Sequence, residues 1–125
     1  PTKQRLKICE VLFNREKTFH FTINDLAKNI SEQLNEKISL ATVYNTVHAF
    51  KDKGYLKEIS INSDKSYFDT NISNHHHFFD EDTNELIDCD SNDIEEINLK
   101  KNITGKKINS IEVLIKVASD NQNQN

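Results

Sequence analysis

Apolar residues recur at the three- and four-residue intervals of an amphipathic helix in three segments of the first half of the chain. The first segment runs from Arg5 to Phe13. The second opens at Thr22, whose hydroxyl suits a helix cap because Asp25 follows three positions later. The third begins with Ser39 as its cap and ends at Gly54. The pattern predicts three helices with these apolar faces: Leu6, Ile8, Cys9, Leu12 and Phe13; Ile23, Leu26, Ala27, Ile30 and Leu34; Leu40, Val43, Val47 and Phe50.

Two strand-like segments follow the third helix. Tyr55 to Ile61 and Ser66 to Thr70 are joined by Asn62-Ser63-Asp64-Lys65, whose composition is typical of a turn. Three helices followed by a hairpin is the order of elements in a winged helix. We therefore predict a winged-helix domain at residues 1–70.

The remaining chain predicts a second, smaller unit after a polar stretch at residues 71–74, which we interpret as a hinge. The predicted elements are a strand at His75 to Phe79, a turn at Asp80 to Asn84, a strand at Glu85 to Cys89, a helix from about Asp93 to Lys101, and a half-buried strand at Ile111 to Val117. We thus expect an α+β protein with a small α+β domain at 75–119 and a disordered Asn/Gln-rich tail at 120–125.

The composition, with 35% hydrophobic and 29% charged residues, is that of a folded protein rather than a disordered one. Each predicted unit is small enough that a partner chain is expected to cover part of its apolar surface. No apolar run approaches the roughly 20 residues that cross a bilayer, and the first residues do not resemble a signal peptide, so we expect a cytoplasmic protein. Cys9 and Cys89 are far apart, which excludes a disulfide framework or a cysteine-rich zinc site within one chain, and we expect Cys9 to be buried.

The overall charge of -4 hides an uneven distribution. Residues 1–70 carry 11 Lys/Arg against 9 Asp/Glu, a balance of +2, whereas residues 71–125 carry 5 against 11, a balance of -6. The first part is therefore suited to contact phosphate, and the acidic second part is suited to bind cations.

The third predicted helix has a polar face without acidic residues. Thr42, Tyr44, Asn45 and His48 lie largely opposite the apolar positions, where hydroxyl, amide and ring groups can reach base edges in a major groove. Periodicity alone favours the simpler interpretation, an ordinary amphipathic helix with a solvated face.

The string Ser39-Leu40-Ala41-Thr42-Val43-Tyr44 closely resembles the recognition helix of ferric uptake regulators. That resemblance implies that Tyr44 contacts thymine methyls and neighbouring bases of an A/T-rich palindromic operator, with a homodimer presenting two such helices. Many members carry arginine where this chain has Asn45, so the preferred operator is expected to differ. Lysines and arginines near the presumed surface would add contacts to phosphate: Lys3, Arg5, Lys51, Lys57 and Lys65. The predicted DNA-contacting residues are Ser39, Thr42, Tyr44, Asn45, His48 and Lys57.

Three consecutive histidines start the second unit. In a strand, His75 and His77 project to one side and His76 to the other. Two imidazoles at that spacing suit iron, manganese, zinc or haem iron. The competing interpretation is a polar surface strand without a ligand.

The same resemblance supplies a set of metal ligands. Ferric uptake regulators hold a regulatory metal at positions that match His20, Asp69, His75, His77 and Asp88, and a second metal at positions that match His76 and Glu95. The family's structural zinc needs CxxC pairs, but Asp80 and Thr83 stand at the first pair's positions here, which excludes a structural four-cysteine zinc.

The missing cysteines, the triple histidine and the string Tyr67-Phe68-Asp69-Thr70-Asn71 resemble the iron-response-regulator (Irr-like) branch of that family. This implies a regulator of iron and haem metabolism whose DNA binding responds to metal or haem. The alternatives are a ferrous- or manganous-ion repressor without haem sensing, a protein-interaction module that no longer binds DNA, and a metalloenzyme with Asp80, Glu81 or Asp82 as its base. Because the chain has no nucleophile elbow, no HExxH and no phosphate loop, we do not expect an enzyme.

Overall fold

The computed structural model describes residues 2–121 and divides the chain into two compact units, one ending at Ile72 and the other beginning at Ser73. The division falls within the polar stretch at residues 71–74. The first unit contains α1 (Thr2–Phe13), β1 (His20–Phe21), α2 (Ile23–Leu34), α3 (Leu40–Asp52), β2 (Lys57–Asn62) and β3 (Lys65–Asp69). The second contains β4 (His76–Asp80), β5 (Glu85–Cys89), a single 3-10 turn (Ser91–Asp93) and β6 (Leu114–Val117).

Local capping explains where the second and third helices begin. The extended backbone of Thr22 allows its hydroxyl to accept a hydrogen bond from the Asp25 amide at 3.2 Å. Ser39 accepts from the Thr42 amide at 3.1 Å in the same way. The chain leaves α2 through Asn35, which adopts the left-handed conformation that commonly ends helices. The three helices and both caps predicted from the pattern are therefore confirmed.

The core of the first unit lies between the three helices and the sheet. Each helix contributes a stripe of buried aliphatic side chains, and the sheet adds buried aromatic rings: Ile8, Leu12, Leu26, Ile30, Val43, Val47, Phe21 and Phe68. Full burial of such a side chain stabilises the fold by about 1.5–3 kcal/mol. This shared core therefore holds α3 firmly against the sheet.

The first sheet has the order β1-β3-β2, with both pairs antiparallel. β2 and β3 form the predicted hairpin. The strand β1 was not predicted, because two residues are too few to show an alternating pattern. Its pairing places His20 opposite Asp69 and Phe21 opposite Phe68, so this short strand determines which residues lie beside Asp69.

The second sheet has the order β5-β4-β6. β4 and β5 pair as an antiparallel hairpin, and β6 pairs in parallel with β4. The predicted hairpin is confirmed, whereas β6 is shorter than the predicted strand from Ile111 to Val117. The α+β class with a winged-helix order in the first unit is confirmed.

The helix predicted from Asp93 to Lys101 is wrong. After the 3-10 turn the chain has extended backbone at Ile94 and no regular element through Lys101. A segment this short is unstable as a helix unless an apolar face is packed. Here Leu99 is 59% exposed and Ile94 and Ile97 are only half-buried, so among the described residues the apolar face of this segment is not fully packed.

Four positions of the predicted apolar faces are also wrong, and one of them, Phe13 at the end of α1, is 39% exposed although its ring contacts Phe50. Cys9 and Leu6 are exposed because α1 buries only a narrow stripe around Ile8 and Leu12. Leu40 is 53% exposed because it is the first residue of α3, and helical side chains point back toward the N-terminus, here beyond the packed layer. Of the predicted tail at 120–125, residues 122–125 lie outside the described residues. None of the described helices is long and apolar enough to span a membrane.

Replacing Thr22 with alanine removes the oxygen that accepts from the Asp25 amide. We expect Thr22→Ala to lower the free energy of unfolding by about 1 kcal/mol, and Thr22→Ser to keep most of that stability because serine offers the same acceptor. Urea denaturation followed by circular dichroism measures both. Equal midpoints for the alanine and unaltered proteins would show that this cap does not stabilise the fold.

Candidate metal centre and nucleic-acid interface

Three potential metal ligands converge on one face of the second sheet. His77 lies opposite Asp88 in the pairing of β4 with β5, so their side chains share a face. Nε2 of His77 lies 3.2 Å from Oδ1 of Asp88, and Nε2 of His75 lies 3.4 Å from the same oxygen. The two rings are 4.3 Å apart between centroids. His75 and His77 therefore lie side by side as predicted, and one oxygen of Asp88 is close to both.

The hydrogen bonding of His75 prepares its second nitrogen for a metal. Nδ1 of His75 lies 2.8 Å from the carbonyl oxygen of Ser73. Because a carbonyl only accepts hydrogen bonds, Nδ1 carries the proton of this contact, and the neutral ring has its lone pair at Nε2. That lone pair faces the Asp88 carboxylate. A backbone carbonyl that holds the far nitrogen is the usual companion of a metal-binding histidine.

The spacing of these atoms fits a divalent metal ion of the first transition series. Bonds of about 2.0–2.2 Å from one ion place adjacent ligand atoms roughly 3 to 3.5 Å apart. The ligand atoms of His75, His77 and Asp88 all lie within 4.8 Å of one another. Two imidazoles and a carboxylate suit ferrous, manganous or zinc ions. Two imidazole nitrogens and a carboxylate oxygen at these distances form a donor set that matches a divalent ion.

Two predicted ligands belong to the first unit. Asp69 ends β3 and is buried, with 1% of its surface exposed, and one of its oxygens accepts from the Asn71 amide at 2.8 Å. His20 is its cross-strand neighbour, with its ring edge-on to Tyr67 at 6.3 Å. The structure thus brings His20 and Asp69 together on adjacent strands. Their ligation of the same ion stays a prediction.

The weaker second site receives less support from the structure. His76 points to the opposite face of β4, as expected from the alternation, and its Nδ1 accepts from the Val113 amide at 2.9 Å. Only Nε2 of His76 is left for a metal. Glu95 is exposed on the irregular segment that was expected to be helical. A shared site for His76 and Glu95 therefore stays a prediction without a common element to position it.

The predicted DNA-contacting face of α3 is partly exposed and partly occupied by its own contacts. Tyr44 is 53% exposed, and Asn45 is exposed beside it. The hydroxyls of Ser39 and Thr42 lie 2.9 Å apart and bond to each other. Tyr44 and Asn45 are accordingly the groups on this face that are most accessible to a duplex.

An aromatic contact on α3 was not predicted. The rings of Tyr44 and His48 lie 4.1 Å apart between centroids and are tilted by 36°. His48 in turn meets the buried ring of Phe68 edge-on at 5.4 Å. The spacing of four residues between Tyr44 and His48, which places both on one helix face, is the signal in the sequence that indicates this pair.

One of the expected phosphate-binding cations is paired within the protein. Lys51 donates to Glu58 at 2.7 Å, which joins α3 to β2. This hydrogen bond and charge hold the pKa of the Glu58 carboxyl below its usual value and raise the pKa of Lys51. Lys57 begins β2 opposite Asp69 and is only partly exposed. Lys51 is therefore less available to DNA than its position in the sequence suggested.

A groove of about 280 Å³ lies beside Asn45 on the first unit. Arg5 from α1 and Lys53 from the end of α3 line it together with Asn45. Both cations are exposed. Lys53, the residue that caps the end of α3, was not among the predicted DNA-contacting residues, and its place in this groove makes it a further cation near Asn45.

A model described as the ferric uptake regulator family matches residues 1–116 of the chain. The peroxide operon regulator of Bacillus subtilis is 32% identical over 108 residues, which cover 86% of this chain and 72% of that protein. The peroxide-responsive repressor PerR of Staphylococcus epidermidis is 31% identical over 96 residues, which cover 77% of this chain and 62% of that protein. The chain thus spans less than two thirds of the length of the second relative.

A solved structure shows the same fold. The ferric uptake regulator of Pseudomonas aeruginosa with manganese superposes with a TM-score of 0.65 at 21% identity, covering 93% of this chain and 87% of that one. At that identity the likeness concerns the fold. The expected resemblance to ferric uptake regulators is confirmed, and the relatives that the chain matches are regulators rather than enzymes.

Removing any one ligand of the cluster should weaken divalent-ion binding. We expect His75→Ala and Asp88→Asn each to lower the affinity for Mn²⁺ on the order of 10- to 100-fold, because each leaves a position of the shell to water. Isothermal titration of metal-free protein measures this. His76→Ala is the matched control on the opposite face of β4, and an equal loss in that variant would show that His75, His77 and Asp88 are not the binding site.

Proposed function

Because the chain belongs to the ferric uptake regulator family, we propose that it is a DNA-binding transcriptional regulator that responds to a divalent ion, ferrous or manganous, held by His75, His77 and Asp88. The observation that carries this proposal is the convergence of two imidazole nitrogens on one carboxylate oxygen, at 3.2 and 3.4 Å.

The chemistry of the donors favours a small ion over haem for this cluster. A haem-binding histidine presents its nitrogen to the open face of a wide, flat macrocycle. Here one oxygen of Asp88 lies 3.4 and 3.2 Å from the Nε2 atoms of His75 and His77, the distance of a neighbouring ligand. When bound, a divalent ion supplies positive charge and accepts the lone pairs of both rings. Asp88 contributes the opposite charge, and Ser73 keeps His75 in the tautomer that can bind.

Asp69 and His20 extend the proposal to the first unit. The family resemblance assigns both to the same regulatory ion, and they are cross-strand neighbours at the end of β3. Ligands from both units would make DNA binding depend on ion binding, because an ion that binds one arrangement of the units more tightly shifts the equilibrium toward it. Asp69→Asn and His20→Ala in the Mn²⁺ titration test this part of the ligand set.

The proposed partner is double-stranded DNA with an A/T-rich palindromic operator, bound by a homodimer. The first unit carries the positive balance of charge and exposes Tyr44 and Asn45 on α3. The second unit exposes apolar side chains that a second copy would cover: Ile87, Leu99, Ile103, Ile108 and Val117. Exposed apolar surface of this kind is typical of an interface with another chain. We accordingly assign DNA binding to the first unit and dimerisation to the second.

Tyr44 should determine sequence preference more than general affinity. Duplexes selected by the protein from a random library in the presence of Mn²⁺ are the probe, with random duplex as the comparison. We expect Tyr44→Ala to reduce the preference for the selected duplex by about 1–3 kcal/mol, that is, roughly 5- to 150-fold, while binding to random DNA changes little. Equal losses on both duplexes would contradict base contact by Tyr44.

The control variant for that experiment is Tyr55→Ala, because Tyr55 is similarly exposed at 56% but lies outside α3. The same selection without metal tests the response to an ion. If the protein selects the same duplex and binds it with equal affinity in Mn²⁺ and in chelator, metal-dependent regulation is contradicted. The proposal that the protein binds DNA would still stand. The names of the relatives specify peroxide, so the complex of protein, Mn²⁺ and selected duplex should also be treated with peroxide.

The second candidate function is a regulator of iron and haem metabolism of the Irr-like branch, in which haem opposes DNA binding. Three consecutive histidines favour it, since His76 projects away from the cluster and keeps its Nε2 nitrogen outside the contact with Val113. This candidate shares the fold and the DNA contacts of the first. The two differ in the group that His75, His76 and His77 bind.

Haemin titration separates the two candidates. If haem binds a histidine of this run, the Soret band should shift on addition of one equivalent, and His76→Ala or His75→Ala should abolish the shift. Absorbance spectroscopy measures it. A Soret band that is unchanged in position, or a shift that persists in His75→Ala, His76→Ala and His77→Ala alike, would remove haem as the ligand of this run and leave the divalent ion.

A further inference from the structure

The ring of His48 lies between the exposed ring of Tyr44 and the buried ring of Phe68. Tyr44 stacks on His48 at 4.1 Å with a tilt of 36°, and His48 meets Phe68 edge-on at 5.4 Å and 79°. Phe68 stacks on Phe21 at 6.0 Å. A continuous row of rings therefore leads from the surface of α3 into the core of the first unit.

This row changes what is expected of His48. The sequence placed His48 on the DNA-contacting face as a direct contact. In the structure its ring is only partly exposed and both of its sides meet other rings, whereas Tyr44 is 53% exposed at the outer end of the row. A side chain enclosed in this way has less surface to offer to a base edge than the residue that it supports.

Tyr44 needs such support. An exposed tyrosine on a helix samples several rotamers, and ordering it in a complex costs free energy. Stacking against His48 favours one rotamer before DNA arrives. His48 is itself held by Phe68, which is 2% exposed and fixed by the pairing of β3 with β2. The salt bridge from Lys51 to Glu58, the residue opposite Phe68, joins α3 to the same pair of strands.

We propose that His48 is a positioning residue, which holds the Tyr44 ring in the orientation that contacts bases and does not itself contact DNA. The proposal rests on the proposed function, because it concerns how a DNA-reading residue is ordered. It also connects α3 to β3, the strand that ends in the predicted ligand Asp69.

A matched pair of substitutions separates stacking from hydrogen bonding. His48→Phe keeps an aromatic ring but removes both nitrogens, and His48→Gln keeps a hydrogen-bonding side chain of similar length but removes the ring. Aromatic pairs of this kind contribute enough to change affinity about 2- to 10-fold. We therefore expect H48Q to weaken binding to the selected duplex by about that factor and H48F to bind within twofold of the unaltered protein.

A double-mutant cycle with Tyr44→Ala tests whether His48 acts through Tyr44. If it does, H48Q should weaken binding in the Tyr44 protein and cause no further loss in the Y44A protein. The same fold loss in both backgrounds would show that His48 contacts DNA directly and would overturn the proposal. A loss in H48F equal to that in H48Q would overturn it as well, because the ring nitrogens would then be the active groups.

Nuclear magnetic resonance of protein with labelled tyrosines reports on the ring without DNA. H48Q should shift the ring protons of Tyr44 and leave those of Tyr55 unchanged, since Tyr55 contacts Phe13 and Phe50 instead. An unshifted Tyr44 signal would overturn the proposal. If the unaltered protein selects no duplex at all, the proposed function fails and this inference fails with it. If the protein selects a duplex but the losses from H48Q and Y44A simply add in the double-mutant cycle, only the role of His48 is overturned.

Discussion

The alternation of side chains along an extended strand is the constraint on which the candidate metal centre depends. β4 sends His77 to one face and His76 to the other, and the pairing of β4 with β5 places Asp88 directly opposite His77. A shift of the hairpin by one residue would move Asp88 to the face of His76 and separate it from both His75 and His77. The hairpin register is therefore as important to the site as the identity of its histidines.

The first unit uses one helix for two purposes. The inner face of α3 packs Val43 and Val47 into the core, and the outer face presents Tyr44 and Asn45. Because interiors are packed at crystal-like density, the inner face holds the helix in one position relative to the sheet. Ring contacts from Tyr44 to His48 and from His48 to Phe68 then restrict the side chains on the surface where a duplex would bind.

Charge separates the two units in a way that suits their proposed roles. The acidic second unit carries the cluster that favours a cation, and the weakly basic first unit carries the helix proposed to contact DNA. One positive charge beside α3 is paired within the first unit, because Lys51 donates a hydrogen bond to Glu58. Because the net positive charge of the first unit is small, the proposed DNA binding would depend more on base contacts by a few residues than on attraction to phosphate.

The sequence by itself determined the three helices of the first unit, the caps of α2 and α3, both hairpins and the shared side of His75 and His77, because these depend on local periodicity, capping and strand alternation. The family resemblance added Asp88. What only the tertiary structure decided concerns contacts between distant segments: the short strand β1 beside Asp69, the row from Tyr44 through His48 to Phe68, and the irregular chain that replaces the predicted helix at Glu95. Whether a short amphipathic segment becomes a helix depends on a packed partner for its apolar face, and a pattern along the chain does not contain that partner.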